Sequence, residues 1–342
     1  MTTPAASTHP ANAAATAPAT TTTTAVIGAG IAGLTLAAAL QAHGHAVTVF
    51  EKSRGPGGRC ATRRTAAGLF DHGAAALTPA TPEFAAQVAA WQAQGRAAAH
   101  GGGHVGVPSM NALARHLGAG VAVRDSTHIT ALEKADAGWA LRTLGGELLA
   151  PRYAHVLVAV PAEQAAALLQ PDAALSAAMR AVHSEPCWTV MAAWAGPLPL
   201  TGRGAEAWAS GDALAPVATA RRDDAQPGRE PVPGVASRWV LHATPHWTRH
   251  NLDVPPAAVA RHLLAAWAEA LGLRIARPAF SVAHRWLYAQ VPGPHADRFG
   301  WNASLGLGAC GDAWHATPGA AGVERAWLSA RGLAAALAAP VT

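Results

Sequence analysis

Residues 24–64, TAVIGAGIAGLTLAAALQAHGHAVTVFEKSRGPGGRCATRR, decide the architecture. A short apolar run, Ala25 to Ile27, leads into Gly28, Gly30 and Gly33. An alanine-rich helical stretch follows, then a second apolar run, Ala46 to Phe50, closed by Glu51. This is the strand, glycine turn, helix and strand order of a nucleotide-binding βαβ unit. Gly28 permits the tight turn, Gly30 lets backbone approach a pyrophosphate, and Gly33 lets the helix pack close to the sheet. Ile31 and Ala32 open the helix, whose unpaired N–H groups face the anion. Glu51 can accept hydrogen bonds from a ribose diol, and an acid here argues against a 2'-phosphate at this position. A bare GxGxxG pattern also fits a structural turn; the flanking strand, the helix and the acid at the right distance make it specific.

Working outward, Glu51 is followed at once by a second glycine–arginine segment, GPGGR at 55–59, and the pairing of the two motifs points to bound FAD. The 342 residues, 51% hydrophobic and 13% charged, suffice for a large core in one large or two intimately packed domains. A formal charge of +5 and a pI near 9.7 suit an anionic ligand. Arg59, Arg63 and Arg64 form the one dense basic cluster near a recognisable site, and no stripe of basic and aromatic residues suggests nucleic acid. Cys60, Cys187 and Cys310 lack CxxC spacing, so neither a zinc knuckle nor a dithiol motif is indicated. Residues 1–24, rich in Ala, Thr and Pro, read as a disordered tail rather than a signal peptide. The helix after Gly33 is too short and polar at its end to span a bilayer, so a cytoplasmic location without membrane contact is expected.

Downstream, Pro82 to Gln94 reads as a helix and His100 to His104 as a glycine loop between domains. A helix is expected after Pro108, strands at Val121–Val123, Ile129–Leu132 and Trp139–Thr143, and a hairpin turn at Gly145–Gly146. The run HVLVAVP predicts a buried strand ending before Pro161, then a helix to Leu169. Strands at Cys187–Trp194 and Ser237–Ala243, separated by a loop around Gln226–Gly234, mark a second layer, followed by a helix at Val259–Leu271 and a strand at Phe280–Tyr288. His242, His246 and His250 have four-residue spacing, but Pro245 interrupts the helix that would stack them, so no metal site is expected. Near the end, an apolar run reaches Gly311 and Asp312, and Gly322 and Val323 open a last helix. Asp312 can bind a ribityl or ribose hydroxyl, or cap a turn.

VIGAGIAG, FEKSRGPGGRCATRR, FDHGA, HVLVAVP, HRWLYA, CGDAW and GVERAWLSARGLA, spread over residues 25–338, resemble the FAD-dependent amine oxidase superfamily, most closely its bacterial renalase-like branch. The resemblance implies an α/β protein: a Rossmann-like FAD-binding domain from residues 25–77, 105–168 and 296–340, with a mixed-sheet α+β substrate domain of the amine oxidase type from 78–104 and 169–295. It implies cofactor contacts from Gly28, Gly30, Gly33, Glu51, Gly58, Arg59 and Asp312, the backbone of Val123, and Gly322 and Val323 at the flavin helix. Lys52 adjoins Glu51 in this stretch, although it and Arg54 also read as solubilising residues. Arg59 could add a phosphate contact.

The implied chemistry is hydride transfer from a donor carbon to the flavin, then reduction of molecular oxygen to hydrogen peroxide, with no catalytic base required. The implied substrates are misreduced dihydropyridine isomers of NAD(P)H, released as NAD(P)+. Arg64, His72, His242, Trp286 and Trp314 are pocket candidates, although His242 and Trp286 read equally well as packing within the substrate-domain sheet and Trp314 as a wall of the flavin. No cysteine matches a covalent flavin motif, so FAD is expected to be noncovalent, and no obligate protein partner is evident. A small-amine oxidase, an FAD-dependent desaturase and a noncatalytic redox-sensing flavoprotein are the alternatives.

Overall fold

The computed structural model describes residues 22–200 and 206–339. Strand β1 (Thr23–Ile27), helix α1 (Ile31–Ala42) and strand β2 (Ala46–Phe50) form the opening unit. The GPGGR segment ends in a single 3-10 turn, Gly58–Cys60, before the hairpin β3 (Thr62–Thr65) and β4 (Gly68–Asp71). Helix α2 (Pro82–Ala93), hairpin β5 (Ala97–His100) and β6 (Gly103–Gly106), helix α3 (Met110–Leu117) and strand β7 (Ala122–Arg124) come next. An antiparallel meander of β8 (Ile129–Ala135), β9 (Gly138–Thr143) and β10 (Leu148–Tyr153) leads to β11 (His155–Val158), then α4 (Ala162–Leu168) and α5 (Ala173–Arg180). The second layer holds β12 (Glu185–Trp194), β13 (Ala207–Ala209), β14 (Val217–Arg222), β15 (Ser237–Ala243), α6 (Pro245–His250), α7 (Pro256–Ala270) and β16 (Phe280–Gln290). Strands β17 (Gly300–Asn302) and β18 (Leu307–Ala309) and helix α8 (Gly322–Ala338) complete the described chain.

The first sheet runs β17-β18-β11-β1-β2-β7, parallel except for β17 against β18. Its central strands are buried on both faces, which is why Ala25–Ile27 and Val156–Val158 are continuously apolar rather than alternating. Helices α1 and α8 cover one face, with Trp91, Phe84 and Trp327 in the same core; the meander and α4–α5 cover the other, around Trp139, Tyr153 and Met179. Helix α1 is apolar on nearly every side because it is enclosed by sheet and helices alike.

The second sheet, ordered β13-β14-β15-β12-β16, is antiparallel at every pairing. Strand β12 turns Trp188, Val190, Ala192 and Trp194 toward Leu263 and Trp267 of α7, and Met191 and Ala193 toward Phe70. The β3–β4 hairpin is thus wedged between the two layers.

Several local expectations change. Residues 100–104 form the turn of the β5–β6 hairpin rather than a crossing between domains, and His104 pairs back to Leu77. Residues 78–104, expected with the substrate layer, pack on α1 and α8 because Phe84, Val88 and Trp91 share that core, and Glu324 receives the N–H groups of Ala80 and Thr81. Of the expected tail, Thr23 and Thr24 belong to β1, while residues 1–21 lie outside the described chain. The Gln226–Gly234 stretch is no simple surface spacer. Arg229, 1% exposed, reaches Asp71 at 2.5 Å and Asp223 at 3.1 Å, both carboxylates being equally buried.

Candidate active site

The ends of β1, β2 and β11, the GPGGR turn, β16 and the first turn of α8 surround a cleft of about 1820 Å³. Gly28, Gly30, Ile31, Ala32, Glu51, Lys52, Gly58, Arg59, Asp312, Gly322 and Val323 line it, as do Arg64, His72, His242 and Trp286. Gly33 lies behind the wall, where a Cβ would sit 1.9 Å from the Gly28 carbonyl oxygen; that contact is the close packing its position demands. Two expected residues stand elsewhere. Val123 pairs with Val49 inside the first sheet, and Thr127 to Thr130, just beyond it, line the cleft. Trp314 is buried against Gly300 and His295 in the core of the first sheet and is not part of the cleft lining.

One end of the cleft is built for an anion. Gly30 caps α1 in an extended conformation with no side-chain cap, Ala321 does the same for α8, and both uncapped N-termini open on the same space. A Cβ on Gly30 meets no atom within 4 Å, so backbone there is free to approach a ligand. Glu51 is buried and held in place by the N–H groups of Ala29 at 2.9 Å and Ser53 at 2.8 Å. Arg59 gives its guanidinium to Asp312 in a bidentate pair at 2.6 and 2.5 Å. Burial opposes the Arg59 charge, but Asp312 outweighs it and raises the arginine above its ordinary pKa. The pair fastens the front motif to the late one across 253 residues of sequence.

The other end is aromatic and imidazole-rich. On the sheet face turned to the cleft, His242 of β15 and His284 of β16 flank Thr189 of β12, one rung from Trp286 opposite Cys187. His72 lies 5.1 Å from the Trp286 ring and 5.0 Å from His284, centroid to centroid. Trp286 donates to the His72 carbonyl at 2.8 Å, and His242 Nε2 contacts the Gly73 carbonyl at 3.0 Å, so the second sheet is pinned to the chain leaving β4. Gly73 is required there, because a Cβ would fall 2.0 Å from the Arg59 carbonyl oxygen. Burial, reinforced by His284 and Arg63, pushes His72 down to about 3; burial likewise lowers His242 and His284. All three are neutral at pH 7. His284 was not singled out in the sequence; the His284–Trp286 alternation on a strand opposite His242 was the available signal.

The flavin-containing amine oxidoreductase profile matches residues 81–338, and an NAD(P)-binding Rossmann-like profile matches residues 26–91. The chain belongs to the flavin-containing amine oxidoreductase family. Cyclohexylamine oxidase from Brevibacterium oxydans IH-35A has the same fold, with a TM-score of 0.67 at 14% identity over 93% of this chain and 99% of that one. A redesigned putrescine oxidase gives 0.65 at 12% identity over 93% and 99%. An oxidoreductase from Methanosarcina mazei gives 0.58 at 13% over 91% and 99%. The protein is an FAD-dependent oxidoreductase, and its residues fit that cofactor: an open glycine turn, two uncapped helix N-termini and a buried, hydrogen-bonded acid at the end of β2 share one cleft. Among the described residues, no helix is long and apolar enough to cross a membrane. His242 lies on a strand and His246 and His250 on α6, and no cluster of three metal-ligating side chains is found among the described residues.

Proposed function

We propose that this oxidoreductase follows the renalase-like reading: it oxidises misreduced dihydropyridine isomers of NAD(P)H to NAD(P)+, with oxygen as electron acceptor and hydrogen peroxide as product. The observation that carries the reading is the charge of the cleft. Six basic side chains line it against two acids, and both acids are committed, Glu51 to backbone N–H groups and Asp312 to Arg59. With its three histidines neutral, the sheet end offers no anion to an ammonium group, while Arg63 and Arg64 suit a phosphorylated substrate.

FAD supplies the hydride acceptor and the route to oxygen. The chain supplies binding and orientation. Trp286 presents an aromatic face for a pyridine ring, held by its hydrogen bond to His72. The His72 ring packs against Trp286 and His284 and holds that face in place. Arg63 and Arg64, carried by β3, hold the anionic tail at the mouth. Noncovalent cofactor binding accords with the cleft thiols: burial pushes Cys60 up to about 12 and Cys187 up to about 11, so both stay protonated at neutral pH. The cofactor unit groups the first sheet with its covering helices, and the second sheet with α6 and α7 forms the substrate unit.

Oxidation of a small neutral amine is the second reading, favoured by the family match and by the cyclohexylamine and putrescine oxidases of like fold. Anaerobic mixing of the holoenzyme with dihydropyridine isomers, ordinary NAD(P)H and candidate amines separates the two. Fast bleaching of the flavin by the isomers alone is expected; bleaching by an amine alone would overturn the proposal.

A further inference from the structure

We infer that Arg325 tunes the redox potential of the bound flavin by holding an uncompensated positive charge in the first turn of α8. This inference does not depend on which substrate is oxidised. Arg325 lines the cleft, donates from Nη2 to the Val291 carbonyl at 2.7 Å, and has a buried Nε without a hydrogen-bond partner. The carboxylate it faces, Asp312, is already engaged through both oxygens by Arg59. Asp312 therefore reaches Arg325 only through space, and burial, the larger influence, lowers its pKa, though a guanidinium remains charged at any working pH.

Within the cleft lining, two guanidinium groups and one carboxylate leave one surplus positive charge; Glu324, the acid of the same turn, is outside that lining and accepts from Ala80 and Thr81 instead. The surplus coincides with the N-terminus of α8, which no side chain caps. In a partly buried site this field favours whichever state of a bound ring carries more negative charge. The ring is the target rather than the diphosphate for a positional reason. The diphosphate belongs to the open turn at Gly28–Gly33 beside Glu51, whereas Arg325 is tied to the end of β16, the strand that carries Trp286.

The test uses the purified holoenzyme and sulfite, which adds to oxidised flavin and leaves a negative charge on the ring. Replacing Arg325→Met should raise the sulfite dissociation constant about tenfold and lower the two-electron midpoint potential by about 30 mV, the shift equivalent to tenfold in an equilibrium constant. Arg325→Lys, which keeps the charge, should stay close to the parent in both measurements. Arg325→Gln, with the same expectation as methionine, serves where the methionine variant does not fold. Unchanged sulfite affinity and potential in a charge-removed variant that retains FAD would overturn the inference. So would weakened FAD affinity with unchanged sulfite affinity in the loaded fraction, which would assign Arg325 to the diphosphate. Substrate specificity moves independently of all these readouts.

Discussion

Replacing Arg229→Met should destabilise the protein by about 3–5 kcal/mol at pH 8, the usual cost of stranding a buried charge. The structure sets the terms. Arg229 and both of its carboxylate partners are 1% exposed. Asp71 accepts from Thr62, from the Met110 N–H at 3.1 Å and from Arg229, while its own N–H donates to Asp223 at 3.0 Å. One cation thus serves two carboxylates. Even with Arg229 present, burial raises Asp71, and burial with the nearby Asp71 charge pushes Asp223 up to about 6. Without Arg229 both carboxyls would titrate higher still. The native variant would bind more protons than the unfolded chain, whose aspartates titrate near ~3.9, so its stability must fall as pH rises.

The deficit should therefore shrink toward pH 5, to about 1–2 kcal/mol for the lost hydrogen bonds, because a shared proton then takes the place of the guanidinium. Denaturant unfolding of the parent and variant, followed by far-UV circular dichroism at pH 5 and pH 8, measures both values. With 342 residues, 4 kcal/mol corresponds to a fall of about 6 °C in Tm. Asp223→Asn removes the surplus anion and should cost little at pH 8. A loss below about 1 kcal/mol at pH 8, or a deficit that does not change with pH, would refute the charge argument and leave Arg229 as a packing residue.

Gly30 and Gly33 should separate cofactor binding from folding. Gly30→Val points into open cleft from an unstrained backbone and should yield a folded protein that has lost FAD, whereas Gly33→Ala collides with the Gly28 carbonyl and should lower Tm even in the apoprotein; flavin absorbance and thermal melts distinguish them. The depressed His72 carries a pH signature of its own. Its contribution is fully present above the unfolded value near ~6.5 and is lost as pH falls toward about 3, at about 1.4 kcal/mol per pH unit at most. Because the raised Asp223 changes in the opposite sense over part of this range, the comparison is between the parent and His72→Asn. The variant should lose less stability between pH 7 and pH 4.5, and equal acid slopes would contradict the assignment.

The local elements were largely legible from the chain. The strand at 46–50, the strand at 237–243 and the helix opening near Val323 follow from patterns contained within a few residues: periodicity, glycine turns and proline stops. The nucleotide-binding front was equally legible, because its glycines and Glu51 act through backbone geometry within one βαβ unit. Illegible were contacts between residues with no local reason to meet. Asp71 and Arg229 are 158 residues apart, and each looks like an ordinary surface charge in its own segment. Trp314 misled for a related reason, since a tryptophan beside Asp312 can face the cleft or the core, and the backbone turn after β18 decides which.

By itself, then, the sequence determined that an uncapped helix N-terminus stands beside an acid at the end of the second strand, because short-range sterics and hydrogen bonding impose that arrangement. Only the tertiary structure decided what surrounds it. Arg59 is paired with Asp312, three histidines are desolvated into neutrality, and Arg325 is left without a carboxylate partner. Charge and solvation depend on which groups converge through space, and that convergence is a property of the whole packed chain.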